Sequence, residues 1–243
     1  MPDSALGYRR RLVHAARLSP LTDTVPVRIW DLPTRVFHAA LAVGVTAAIV
    51  TAKLGGDWMA WHLRCGEAVM ALMLFRWAWG IGGGRWSRLA ALLPTPARLA
   101  RALRGRASVE DGIGHGALGS LSVWAFLLLL SLQAATGLVA DDDVATTGPL
   151  NAHVAGRLAK RASAWHAGWG ADLILALVAL HLLAIAWYTW RLRAPLLRAM
   201  WSGDKPLPAA TPASRDGPGR RLLALAIWVA ACGAVWALVR WAD

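Results

Sequence analysis

Four of the seven histidines in this chain stand in a pattern that chemistry can use. His38, His62, His166 and His181 each lie inside or at the edge of an apolar stretch, where an ionisable side chain is expensive and marks function by default. His166 and His181 are fifteen residues apart. On an α-helix that separation is about 22 Å of rise and about 60° of rotation. The two imidazoles therefore face nearly the same way, one near each membrane surface. His38 matches the depth of His181, and His62 matches the depth of His166. Two bis-imidazole pairs follow, His38 with His181 and His62 with His166. Neutral imidazole is a strong axial ligand for haem iron, and helical bundles hold such cofactors between facing helices. Zinc suits the set less well, because no third or fourth Cys, His or carboxylate converges at matching depth. The plain alternative is hydrogen bonding of each His across helices.

Three further residues complete the candidate cofactor-binding set. Arg76, fourteen residues after His62, could pair its guanidinium fork with the carboxylates of a cofactor near the inner pair, or snorkel to the interface. Arg35, three residues before His38, has the same choice, with snorkelling ahead. His115, in Gly114-His115-Gly116 before the third apolar stretch, is a helix-start residue with a contact to a cofactor carboxylate or to quinone as its functional reading. His14 and His153 read as solvated. Arg64 and Glu67, at i,i+3 beside His62, read as a self-neutralising pair, and Asp172 is a weaker candidate for relaying a proton there. Gly44, Gly119 and Gly137 would let a porphyrin or a neighbouring helix approach closely.

The elements that must position these residues are five apolar stretches near membrane-spanning length: Val36–Ala52, Trp58–Ile81, Ala117–Ala140, Gly168–Trp190 and Leu222–Trp241. Asp31 is a natural N-cap for the first, with Pro33 in its first turn. Hydrophobic residues make up 57% of the 243 positions and charged residues 16%. A soluble domain carries about a quarter charged, so this balance excludes an ordinary soluble globule and excludes disorder. Lipid offers no partner for unpaired backbone groups and no strand alternation is visible, so the expected class is an all-α membrane protein, a four-helix bundle plus a fifth C-terminal transmembrane helix. The 15 Trp cluster near the stretch ends, as an interfacial belt does. Two Cys without C-x-x-C or C-x-x-C-H exclude a disulfide framework and covalent c-type haem. Cys65 and Cys232 read as small apolar fillers. No apolar h-region occurs in the first 30 residues, so no cleaved signal peptide is expected.

Lys and Arg between the apolar stretches and at their ends divide nineteen to five between the two sides, Arg240 at the end of the fifth stretch counting among the five. The positive-inside bias then puts the N-terminus in the cytoplasm and the C-terminus in the periplasm. Residues 1–30 form a cytoplasmic segment, 31–203 the four-helix unit, 204–220 a Pro-rich polar linker (Lys205–Pro218 reads KPLPAATPASRDGP), and 221–243 the fifth helix, an appendage.

The run VRIWDLPTRVFHAALAV (Val27–Val43) resembles the first-helix signature of the prokaryotic cytochrome b561 and hydrogenase-type b cytochromes. AWHLRCGEAVMALMLFRWAWG (Ala60–Gly80), AWHAGWGADLILALVALH (Ala164–His181) and the Gly114-His115-Gly116 loop are similar to the same family, and the likeness spans roughly Val27 to Lys205. It implies a four-helix membrane bundle with two b haems that passes electrons between quinone and a partner redox protein. Carried over by position, His38 and His181 bind the inner haem and His62 and His166 the outer one. Two departures stand out: Gly116-Ala117 replaces the Asn-Pro that members often carry after the loop His, and the fifth helix lies outside the minimal unit.

Two axial His per iron leave no open position, which favours electron transfer over oxygen activation. The expectation is a dihaem b-type cytochrome of the bacterial cytoplasmic (inner) membrane, an electron-transfer protein or the cytochrome subunit of a quinone-linked oxidoreductase. It would exchange electrons with quinone and with a periplasmic c-type cytochrome or a hydrogenase- or dehydrogenase-like complex. The competing class is a non-redox membrane anchor or assembly protein with structural histidines, whose basic loops bind anionic lipid. A transporter is disfavoured for want of broken helices and an inverted repeat. Nucleic acid is not an expected partner, because the basic residues are spread over three loops without an aromatic-basic motif.

Overall fold

The computed structural model describes residues 24–108 and 110–242. His14 and the basic residues Arg9, Arg10, Arg11 and Arg17 lie outside the described residues. Strand β1 (Thr24–Arg28) leads into helix α1 (Leu32–Leu54). Asp31 caps α1 by accepting a 2.9 Å hydrogen bond from the Thr34 N–H, and Pro33 sits in the first turn, so the helix starts four residues ahead of the apolar stretch. Gly55, at φ 65°, ends it in the left-handed region that favours glycine. Next come α2 (Met59–Gly82), the short α3 (Pro96–Leu103) with Thr95 as its cap, and α4 (Ala117–Gly137).

The fourth long helical run is composite. Helix α5 (Gly156–Ala164) leads through a widened π turn (Trp165–Trp169), kinked at Gly168 where the backbone leaves helical values (φ −104°, ψ −112°), into α6 (Gly170–Ala186), which ends in a second π turn (Trp187–Arg191). It therefore begins twelve residues before the expected Gly168 start. Helix α7 (Leu196–Ser202), strand β2 (Asp204–Pro208) and α8 (Pro218–Ala242) close the chain.

The fold is mostly helical, but the all-α expectation needs one correction. β1 and β2 pair antiparallel, with Thr24 opposite Pro208 and Arg28 opposite Asp204. The pair lies in the segments flanking the apolar helices, before α1 and between α7 and α8. Pro26 faces Pro206. Neither can donate, so the two prolines take a position whose N–H would point away from the partner strand, which leaves the ladder intact.

Residues 204–220 are likewise no free tether. Beyond β2, the Ser214 N–H donates to the Arg28 carbonyl at 2.7 Å and the Trp86 indole donates to the Pro212 carbonyl at 2.9 Å. Helix α8 packs chiefly on α2, and its Ala224 and Ala231 join Phe37, Leu72, Phe75, Leu130 and Ile174 in one buried cluster.

Outside that cluster the helices are apolar and open. Val43, Leu183 and Trp190 are 70%, 68% and 81% exposed, a surface that suits lipid and not water. Four described helical runs are long and apolar enough to cross a membrane: Leu32–Leu54, Glu110–Gly137, Gly156–Arg191 and Pro218–Ala242. Helix α2 matches them in length with 24 residues but carries Arg64, Glu67 and Arg76.

Candidate functional site

The helices bring the four histidines together in twos. His38 on α1 and His181 on α6 have ring centroids 6.4 Å apart at 50°. His62 on α2 and His166 in the π turn have centroids 5.9 Å apart at 75°. Two imidazoles bonded at about 2.0–2.1 Å to opposite sides of one metal have ring centres about 6 Å apart, so both spacings fit a shared ion.

Hydrogen bonds fix which nitrogen is free. His62 Nδ1 lies 2.9 Å from the Ala48 carbonyl, and His166 Nδ1 lies 2.9 Å from the Gln133 carbonyl. A carbonyl only accepts, so Nδ1 carries the proton in both and Nε2 keeps its lone pair for a metal. Gln133 also donates from Nε2 to the His166 carbonyl at 2.8 Å, holding the π turn from both ends of one residue. Widened π turns are frequent at functional sites, and this one, kinked at Gly168, carries His166. Neither the turn nor Gln133 is evident from the histidine spacing. The available signal is a lone amide in the otherwise apolar LLLLSLQAATG of α4.

The glycines sort by neighbour. A Cβ on Gly137 would stand 2.7 Å from His166 Cε1, so its absence makes room for the ring. Gly44 meets Val69 at 3.3 Å and serves helix packing. Gly119 lies under His115 at an ordinary 3.7 Å.

At the other end, several buried polar atoms lack partners among the described residues. Arg76 is 4% exposed, yet its Nη1 makes no hydrogen bond, and the same holds for His115 Nδ1, Ser120 Oγ and Arg35 Nε. Leaving such groups unpaired is costly, so an acceptor in their midst is a chemical requirement. Arg35 is partly committed, since its Nη1 donates to the Trp201 carbonyl on α7. The His115 ring lies 4.6 Å from that of Trp30, and its loop is held by Lys205, whose Nζ donates to the carbonyls of Gly112, Ile113 and Gly114 at 3.0–3.2 Å. Burial pushes the Lys205 ammonium down to about 8, still protonated at neutral pH.

Among the described residues no three His, Cys, Asp or Glu side chains gather. A metal held by either pair would need its remaining ligands from outside the protein side chains, which a macrocycle such as haem would supply. The Arg64–Glu67 pairing does not form. The Arg64 guanidinium lies over the Trp61 ring at 5.1 Å, one turn back, where the exposed cation meets an aromatic face. Asp172 is exposed, and His153 is exposed against the Trp241 ring at 4.9 Å.

A helical membrane bundle with imidazoles facing each other between its helices defines a class of proteins that hold a planar metal cofactor within the bilayer. The model of the prokaryotic cytochrome b561 family matches residues 29–203, and the chain belongs to that family of membrane b-type cytochromes in electron transfer, which implies haem b. Neither a curated protein nor a solved structure gives a match.

Proposed function

We propose that this protein is a dihaem b-type cytochrome of the cytoplasmic membrane that passes electrons between quinone and a periplasmic redox partner, a c-type cytochrome or a hydrogenase- or dehydrogenase-like subunit. The observation that carries the reading is the pair of imidazole separations, 6.4 and 5.9 Å, on opposite ends of the run from His166 to His181. When bound, haem b supplies one-electron redox chemistry.

This chain's residues do the rest. His38 and His181 hold the inner iron, and His62 and His166 the outer one. The carbonyls of Ala48 and Gln133 set the tautomer of the outer pair. Two protein imidazoles for each iron would leave no open position for oxygen, so the haems would supply electron transfer and not oxygen activation. Arg76 faces the inner site with an unpartnered Nη1, and a propionate is the acceptor it lacks. His115 and Arg35 border the same end and complete the polar lining there. The nineteen-to-five division of Lys and Arg supports an inner pair on the cytoplasmic side, with the N-terminus inside and the C-terminus outside.

The test is spectroscopic. Membranes holding the protein should give a reduced-minus-oxidised b-type difference spectrum, and a short-chain quinol should develop it without dithionite. Colourless purified protein would leave the histidines as structural groups and end the redox reading.

A further inference from the structure

A second site lies where the family unit meets the added helix. The loop after α2 and the segment leading into the first turn of α8 border an open pocket of about 190 Å3 lined by Arg85, Arg88, Arg215 and Arg220, with two glycines and an alanine between them. No carboxylate lines it. Two acids stand beside it and both are already engaged: Asp31, behind Gly84, accepts from the Thr34 N–H, the Trp79 indole and the Ser87 hydroxyl, and Asp216 is committed to Arg28 at 2.9 Å and to Arg221 at 3.1 Å. Among the described residues none of the four arginines is in an ion pair.

The walls are built rather than accidental. Arg88 donates to the Gly83 carbonyl at 3.2 Å and Arg220 to the Gly82 carbonyl, so two guanidiniums are anchored on the last carbonyls of α2. The Trp86 indole and Ser214 tie the two walls together. A Cβ on Gly84 would overlap Asp31 and crowd Ser214, so this loop has no room to retreat. Four guanidiniums around one small pocket, none of them ion-paired to a protein carboxylate, form a receptor for a phosphate, which their fork geometry matches.

The surroundings choose the source of that phosphate. Ile81, just before one wall, is 78% exposed, and Leu222, just after the other, is 67% exposed. An amphiphile with an anionic head and apolar tails meets both surfaces, and basic pockets between transmembrane helices bind such headgroups. The pocket is small and opens beside apolar surface, which suits a headgroup phosphate whose tails lie outside it. We propose that this pocket binds the phosphate of an anionic phospholipid, and that the lipid joins α8 to the family bundle. Arg215 and Arg220 lie beyond residue 203, so the site exists only because the fifth helix is present. It does not rest on the haem reading.

Full-length protein in neutral detergent is titrated with dioleoyl phosphatidylglycerol or dioleoyl phosphatidylcholine, with and without sodium phosphate, and bound lipid is counted by native mass spectrometry. Phosphatidylglycerol should bind about tenfold more tightly than phosphatidylcholine, and the double variant Arg215→Gln/Arg220→Gln should weaken it about thirtyfold. The variant Arg157→Gln/Lys160→Gln/Arg161→Gln, on the opposite side, should bind as the wild type does. Helical circular dichroism and elution volume check folding. If the first variant fails to fold, Arg85→Gln/Arg88→Gln reads the same loss from the other wall. Equal phosphatidylglycerol affinity in wild type and folded variant would overturn the proposal. So would full displacement of the lipid by millimolar phosphate, which would make the site one for free anions.

Discussion

The outer imidazole pair depends on one missing methyl group. An alanine at Gly137 would place Cβ 2.7 Å from His166 Cε1 and 3.2 Å from its Nδ1, tighter than packed atoms tolerate. The ring cannot give way, because Gln133 holds it through Nδ1 and through the backbone carbonyl of the same residue. Gly137→Ala should therefore remove most of the outer haem and spare the inner one, read as a fall from two towards one haem per chain by pyridine haemochrome. Gly44→Ala is the contrast. Its Cβ would meet a single Val69 methyl at 3.3 Å, a side chain that can shift. Both haems should remain, with a stability cost of about 1 kcal/mol and a melting temperature lower by about 2–4 °C. The depth match behind the pairing was legible in the chain, because helix rise fixes where residues fifteen apart must lie. What the depth match left hidden is why His166 points inward. That depends on a π turn and on a backbone carbonyl 33 residues away, and local spacing encodes neither.

At the scale of elements, Arg28 is the clamp between the start of α1 and the segment before α8. It donates to Asp204 at 2.6 Å and to Asp216 at 2.9 Å, and its side chain is 32% exposed. Solvent screens such a pair, so Arg28→Gln should cost about 1 kcal/mol, a melting shift of about 2–4 °C in detergent. Burial pushes the Asp216 carboxyl up, but the Arg221 hydrogen bond, the Leu32 N–H and the charges of Arg221 and Arg28 outweigh it, so the carboxyl sits below its ordinary value. A carboxyl lowered in the folded state adds stability above its unfolded value, and that stability is lost as pH falls through the folded value. The acid-unfolding midpoint of Arg28→Gln, followed by circular dichroism, should therefore lie at higher pH than that of the wild type. An unchanged midpoint would mean that Arg221 alone holds the carboxylate.

The long helices could be read in the sequence because twenty apolar residues in a row have few other fates. The strand pair could not. TVPVR and DKPLP are short, each interrupted by proline, and they meet across 176 residues between Arg28 and Asp204. The same distance hid the docking of residues 204–220, whose prolines read locally as a tether.

The whole molecule is a mostly helical membrane protein whose basic residues, read along the sequence, divide unevenly between alternate inter-helix segments. With nineteen Lys and Arg in one set against five in the other, an exported reporter enzyme that folds only in the periplasm should be active when fused after Asp243 and silent when fused after Arg106. The reverse pattern would invert the bundle and exchange the inner and outer sites. Helix α8 has its own place in this picture. It covers α2, whose Arg64, Glu67 and Arg76 make it the most polar of the long helices, and it shares the buried cluster of the other four.

The claim on which the account depends is two metal-bound imidazole pairs per chain, and counting haem tests it most directly. Wild-type protein should contain two haems b by pyridine haemochrome. His62→Ala and His181→Ala should each retain one, with different difference spectra, because each variant keeps the other pair. One haem in the wild type, or the same residual spectrum in both variants, would contradict the pairing of His38 with His181 and of His62 with His166.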